Sequence, residues 1–393
     1  MKSIELFSGT GGLALGLEMA GFTHEALFEW DEDSCQNVNH NIESGYDVIK
    51  QWKVFQTDVR EVDYSKYSSV GFIAGGPPCQ PFSLGGKHKA NNDHRDMFPE
   101  AVRAVREIKP MAFVFENVKG LLRPSFSKYF DYIILQLRYP EVAKVEGESW
   151  EQHLLKLEEV DKSGKAEGLT YNVTFKLLNA ADYGVPQVRH RVFIVGFRSD
   201  LNITWNPPTP THSKEALALS KWETGEYWRE HGMVERTNGK PSDAVLERYN
   251  HDIASGKVAS LRWRTVRDVI SDLPAPETTS SYSVHNHELR LGARSYAGHS
   301  GCALDEPSKT IKAGSHGVPG GENMVVLDDG SLRYYTVRES ARIQTFPDEY
   351  LFSASWTESM RQIGNAVPVL LAKIVGDSVM KQMKGALKNG KQK

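Results

Sequence analysis

From Ile4 to about Phe197, short apolar runs alternate with longer stretches whose polar spacing suits helices. The runs Ile4–Phe7, Glu25–Glu29, Gly71–Ala74, Ala112–Phe115 and Val192–Gly196 are largely continuous, the pattern of strands covered on both faces. Strand–helix repetition of this kind predicts an α/β fold with a Rossmann-like, doubly wound, mostly parallel sheet. A further run, Val54–Gln56, falls where a third strand would end. After Arg198 the character changes. Asn206-Pro207-Pro208-Thr209-Pro210-Thr211 reads as a linker. The polar, turn-rich stretch to about Arg333 reads as a smaller domain with little regular helix in its latter half. Helical apolar spacing returns over Val337–Thr345 and Val367–Leu387, and Lys388 to Lys393 reads as a frayed tail. Three parts are expected: residues 1–197, residues 198–333, and residues 334–393 as helices returning to the first part.

Composition narrows this only slightly. The 393 residues carry 47 Lys/Arg against 50 Asp/Glu, a formal charge of −3, so a polyanionic partner would have to meet a local basic surface. Cys35, Cys79 and Cys302 are scattered and odd in number, which argues against a disulfide framework. Met1 to Phe7 runs straight into a strand, without the basic start and apolar stretch of a signal peptide. No apolar run of roughly 20 residues suggests a bilayer span. A cytoplasmic protein is expected.

Candidate chemistry sits at the strand ends. Gly9-Thr10-Gly11-Gly12-Leu13-Ala14 follows the first strand and opens a helix over Leu13–Ala20, fitting the Gly-x-Gly-x-x-Gly/Ala turn that brings backbone close to a nucleotide. Glu29 ends the second run, about 20 residues on, where an acid can grip ribose hydroxyls. These features favour a nucleoside cofactor without choosing between a dinucleotide and S-adenosylmethionine. Trp30 suits either an adenine face or the core; Asp58 suits either an adenine amino group or a solvated turn.

Gly75-Gly76-Pro77-Pro78-Cys79-Gln80-Pro81-Phe82-Ser83 follows another apolar strand. Cys79 stands between prolines at the carboxyl edge of the sheet, unlike a structural cysteine inside an apolar element. A nucleophilic role is expected. Glu116 caps the strand Ala112–Phe115, where a carboxylate is costly unless paired or functional, and desolvation there should raise its pKa. In Gln187-Val188-Arg189-His190-Arg191, alternation along an extended segment puts Arg189 and Arg191 on one face, available to a base carbonyl, a phosphate or Glu116.

With these segments in view, the chain resembles the cytosine carbon-5 DNA methyltransferase family, of the bacterial restriction–modification type, over nearly its whole length. The resemblance is carried by Leu6 to Gly12, Glu29-Trp30-Asp31, Gly76 to Ser83, Glu116-Asn117-Val118, Gln187 to Arg191, Arg338 to Pro347 and Gly364-Asn365-Ala366-Val367-Pro368, in the family's order. Thr310-Ile311 is similar to its recognition-domain signature. The resemblance implies the S-adenosylmethionine-dependent methyltransferase fold with a target-recognition domain. It implies a Cys79 thiolate adding to cytosine carbon 6, Glu116 supporting protonation at nitrogen 3, and Arg189, with Arg191 beside it, holding the base carbonyl. Phe7, Gly9, Gly11, Gly12, Glu29, Trp30, Asp58, Val59, Pro78, Phe98, Asn365 and Val367 carry over as cofactor contacts.

The implied partner is double-stranded DNA, whose target base must be flipped out. Ser83, Lys87, Lys89 and Arg95 lie in a basic segment after Cys79 suited to closing over DNA. Arg262, Arg264, Thr310 and Lys312 are further candidate contacts, and His285, His287, Arg290, Arg294, Lys309 and His316 can also reach phosphates or base edges. His285-Asn286-His287 lacks the later ligands a metal nuclease would need. Tyr139 to Gly168 is a charged, helix-prone insertion relative to compact family members, either contacting flanking DNA or, as the default reading, lengthening a surface element. A monomer is expected, with a cognate restriction endonuclease left open as a partner. The alternatives are an RNA cytosine-5 methyltransferase, disfavoured by the long recognition region and the absence of a Cys-Phe-Thr signature, and a non-catalytic DNA-binding relative.

Overall fold

A computed structural model of the chain describes residues 1–78, 96–236, 238–277, 284–296, 300–313 and 323–390, with side chains as far as 386. By its internal contacts the chain forms two units. The first comprises Met1–Leu178, His190–Pro207 and Ala372–Lys393; the second comprises Asn179–Arg189 and Pro208–Leu371.

The first unit is built on a seven-stranded sheet: β1 (Lys2–Leu6), β2 (Thr23–Glu29), β3 (Val54–Gln56), β4 (Phe72–Gly75), β5 (Ala112–Val118), β6 (Tyr171–Asn179) and β7 (His190–Arg198). Their order is β3-β2-β1-β4-β5-β7-β6. Strands β1 to β5 pair in parallel, and β7 runs antiparallel to β5. Every residue of β4 and nearly every residue of β5 is buried, as continuous apolar runs require. The polar edge strand β6 was not foreseen; its mixed burial gives no continuous apolar run. The strand order reverses between β1 and β4, so the turns after these two strands flank the crevice where open α/β sheets bind ligands. Gly75 closes β4 because a Cβ there would stand 2.7 Å from the Leu6 carbonyl oxygen.

Helices α1 (Gly12–Met19), α2 (Glu32–Glu43), α3 (Phe98–Ile108), α4 (Ser127–Arg138) and α5 (Trp150–Ser163) belong to this unit. Helix α1 is buried over Gly12 to Leu17, consistent with its nearly all-apolar sequence. The insertion forms α5, started by a capping box at Ser149 and Gln152. His153 on α5 joins the Tyr132 hydroxyl of α4 (2.8 Å) to the Val142 carbonyl (2.8 Å), and Leu154 and Leu157 enter the core. The segment thus packs onto the unit through α4 and contributes side chains to its core.

Beneath the first turn, His24 of β2 is buried between two carboxylates. Its Nδ1 lies 3.0 Å from Glu18 of α1 and its Nε2 3.7 Å from Glu5 of β1. The Trp52 indole N–H also donates to Glu18 at 2.9 Å. Burial alone would lower the His24 pKa, but its hydrogen bond to Glu18 and the attraction of the Glu18 and Glu5 carboxylates outweigh burial and raise it. Burial raises Glu5, whereas hydrogen bonds overcome burial at Glu18 and lower it. A histidine with a raised folded pKa gives stability that is full below its unfolded value of about 6.5 and is lost as pH rises through the folded value. The melting temperature should therefore fall as pH climbs from about 6.5, and His24→Gln should flatten that fall. Equal slopes in the two proteins would exclude this role for His24.

The second unit holds helices Lys214–Trp222, Glu226–Glu230, Asp243–Ala254, Val337–Ile343 and Trp356–Asn365, and a sheet of Cys302–Ala303, Met324–Val326 and Leu332–Tyr334. Two corrections follow. Helices Val337–Ile343 and Trp356–Asn365, expected to rejoin the first part, pack in the second unit; only from Ala372 does the chain return. The stretch Trp356–Ala386 is also long and apolar enough to cross a membrane, contrary to the expectation of no such run. It is two helices, ended at Asn365 and restarted at Val369, and most of it is buried.

Candidate active site

The turn after β1 is shaped by its backbone. Phe7, Gly9 and Gly11 all have positive φ (57°, 51° and 79°), and Gly11 starts α1 without a side-chain cap. Positive φ at a non-glycine residue costs free energy and clusters at functional turns. Glu29, at the end of β2, reaches back under this turn. Its carboxylate accepts from the Gly9 N–H (2.7 Å), the Trp30 N–H (2.9 Å) and the Asp31 N–H (2.9 Å). Burial raises its pKa, and these bonds partly oppose that. Asp31 caps α2 through Ser34 N, and Asn37 of α2 donates to Thr10 Oγ1 at 2.7 Å. Among the described residues, a Cβ at Gly9 would meet nothing within 4 Å, and the buried Ser8 hydroxyl has no hydrogen-bond partner. A narrow backbone cradle with open space, a buried acid and an unused hydroxyl fits a nucleoside cofactor such as S-adenosylmethionine.

The other cofactor candidates divide. Trp30 is 74% exposed, which removes the core alternative and leaves a free aromatic face. Asp58 is engaged by Arg60, whose guanidinium is the main cause of its lowered pKa. Val59 is buried and Pro78 exposed. Phe98, expected as a contact, is wholly enclosed in the core. In the second unit, Asn365 is exposed at the end of its helix and Val367 is buried.

At the next turn, Asn117 Nδ2 donates to the Pro77 carbonyl at 3.2 Å, fixing the backbone one residue before Pro78. Cys79 itself lies outside the described residues, as do Ser83, Lys87, Lys89, Arg95 and His316. Glu116 is 8% exposed near the end of β5, with Gly76 beside it: a Cβ there would stand 3.5 Å from Glu116 Oε2. Arg191 of β7 approaches from the antiparallel neighbour, its Nε 2.7 Å from Glu116 Oε1. The cross-strand register pairs Val118 with Arg191, which puts the two side chains at one end of the sheet.

Arg189 does not join them, and here the sequence reading is corrected. It precedes β7, belongs to the second unit and is completely buried. Its guanidinium donates to the carbonyls of Ile311 (2.9 Å), Gly364 (2.7 Å) and Ala366 (3.0 Å). A guanidinium so committed cannot also hold a base carbonyl. Alternation failed because the extended segment passes from one unit to the other between the two arginines.

The recognition candidates need similar revision. Arg262 is paired with Asp268 (2.8 Å) and Glu230 (2.7 Å), so it is neutralised internally. Arg264 makes no ion pair among the described residues. Thr310 spends its hydroxyl on the Val188 carbonyl at 2.8 Å. His287 is buried between Thr336 and the Pro274 carbonyl, a structural placement. Lys309, Lys312, His285, Arg290 and Arg294 are exposed. Missed by the sequence reading were Gln187 and Gln344, fully buried and joined at 2.9 Å. Both lie within segments singled out above, but nothing local to either marks them as partners.

Comparison with known proteins shows the family. The family model described as C-5 cytosine-specific DNA methylase matches residues 1–139 and 147–381. The Type II methyltransferase M.NgoMIV of Neisseria gonorrhoeae is 30% identical over 391 residues, covering 97% of this chain and 98% of the relative. M.FnuDI of Fusobacterium nucleatum is 32% identical over 384 residues, covering 96% and 94%. The solved structure of the S. pombe Dnmt2 methyltransferase covers 98% of this chain and 99% of its own at a TM-score of 0.53 and 16% identity, a likeness of fold.

Proposed function

The chain belongs to the C-5 cytosine-specific DNA methylase family and is a DNA (cytosine-5) methyltransferase, and from that premise we propose how its residues carry the reaction and what it serves. Phe7, the Gly9–Gly12 turn and Glu29 would hold S-adenosylmethionine, which would supply an electrophilic methyl group. The Cys79 thiolate adds to carbon 6 of a flipped cytosine, making carbon 5 electron-rich enough to take the methyl. Glu116 holds the proton at nitrogen 3 while the ring carries the added electrons. Arg191 holds the base carbonyl and keeps Glu116 aimed. Transfer of the carbon-5 proton to water and departure of Cys79 as its thiolate then restore the aromatic ring.

The observation carrying this reading is the Glu116–Arg191 pair, nearly enclosed at the sheet end beside Gly76. A buried pair costs desolvation, which function repays more readily than stability does. Trp30 adds an aromatic face to that cradle; in the second unit Asn365 and Val367 are further candidate cofactor contacts, and Arg264, Lys309 and Lys312 offer cations to DNA. The relatives' naming as Type II methyltransferases supports a modification enzyme of a restriction–modification system. Bisulfite sequencing of DNA from a host expressing the chain should show one short sequence protected at a single cytosine. Soluble protein with every cytosine converted would overturn the DNA reading.

A further inference from the structure

The corrected position of Arg189 points to a role in the second unit. Residues 186–189 run beside residues 308–311: Ser308 N donates to the Pro186 carbonyl at 2.9 Å and Val188 N to the Ser308 carbonyl at 2.8 Å. Gln187 Oε1 accepts from Ile311 N at 3.0 Å, while its Nε2 donates to Gln344 Oε1 at 2.9 Å. Gln344 in turn donates to the carbonyls of Ile363 (2.7 Å) and Ala366 (3.0 Å). Arg189 spans the same two segments, with Ile311 on one side and Gly364 and Ala366 on the other.

Backbone contact reinforces the link. A Cβ at Gly364 would lie 2.4 Å from Ala313 N and 2.5 Å from the Lys312 carbonyl carbon. No side chain fits there, so the Gly364–Val367 turn lies directly against the Thr310–Ala313 segment. One of these segments carries Asn365 and Val367; the other carries Thr310 and Lys312. A planar guanidinium with fixed donors transmits a displacement of either carbonyl set to the other, which a flexible ammonium does poorly.

We propose that Arg189 is a positioning residue that locks the DNA-reading segment Thr310–Ala313 to the cofactor-contacting turn Gly364–Val367, so that binding DNA and binding cofactor favour the same arrangement. The proposal rests on the reading above, in which these segments meet DNA and S-adenosylmethionine respectively. Coupling of this kind is reciprocal: each ligand must tighten the other by the same factor.

The test measures the dissociation constant of S-adenosylhomocysteine for the full chain, alone and with a saturating duplex carrying the sequence found by bisulfite sequencing. Wild type should bind at least about fivefold tighter with DNA, within the usual range for coupled sites. In Arg189→Lys and in Gly364→Ala that ratio should fall close to one. A purely structural role would weaken both affinities and leave the ratio intact. An intact ratio in a folded variant overturns the proposal, as does a wild-type ratio of one. If neither variant folds, Gln344→Leu, which removes the donors to the Ile363 and Ala366 carbonyls without adding bulk, decides by the same ratio. Failure of the underlying reading is separable, because Asn365→Ala would then leave homocysteine-cofactor affinity unchanged whatever the ratio.

Discussion

Replacing Cys79 with serine should abolish methyl transfer, lowering turnover by on the order of 10⁴-fold or more, as loss of an essential nucleophile does. A serine hydroxyl has nearly the same size but is almost wholly protonated near neutrality, so addition to carbon 6 loses its nucleophile. Cofactor binding should survive, because the cradle at Phe7, Gly9 and Glu29 owes nothing to the thiol. The measurement is transfer of label from methyl-labelled S-adenosylmethionine to duplex DNA. A second readout uses DNA carrying 5-fluorocytosine at the target. Fluorine cannot leave as a cation, so wild type should stay covalently attached after methylation and Cys79→Ser should not. Turnover within tenfold of wild type would end the covalent mechanism.

The other large effect is expected at Glu116. Glu116→Gln keeps the shape but cannot hold a transferable proton, and it removes the counter-charge 2.7 Å from Arg191. Turnover should drop by about 10²- to 10⁴-fold, the usual contribution of a positioned proton-transfer group. Stability should also fall, because taking one partner from a buried pair strands the other charge. Arg191→Gln added to that variant should cost little more, since the two act as a unit. Independent, multiplying losses would show that Glu116 and Arg191 serve separate steps. Retention of most activity in Glu116→Gln would remove it from the proton path.

Much of this site was legible because its parts are local. A glycine turn after a strand, an acid closing the next strand and a carboxylate capping a third are each set by neighbours a few residues away. The parallel sheet follows from the same local evidence, since strands buried on both faces must be apolar throughout. What escaped depends on residues distant in sequence. Arg262 reads as a DNA contact until Glu230 and Asp268 are seen to neutralise it. Arg189 and Arg191 share a face in any ideal extended segment, yet one ends buried among carbonyls of the second unit and the other beside Glu116. Trp30 reads equally as core or surface because periodicity cannot say which face of a strand end is covered.

The C-terminal helix has a consequence for how the protein is made. Gly376 packs so closely on α1 that a Cβ would stand 2.8 Å from Ala20 and 2.9 Å from Leu17, and Ser378 accepts from the Trp205 indole at 3.0 Å. During synthesis, Leu17 and Ala20 leave the ribosome early and wait roughly tens of seconds for that cover. Over that interval the first helix presents unburied apolar surface, the condition in which nascent chains draw chaperones or aggregate. A message truncated before the last helix should therefore yield an unstable chain, so that working enzyme accumulates only from completed translation.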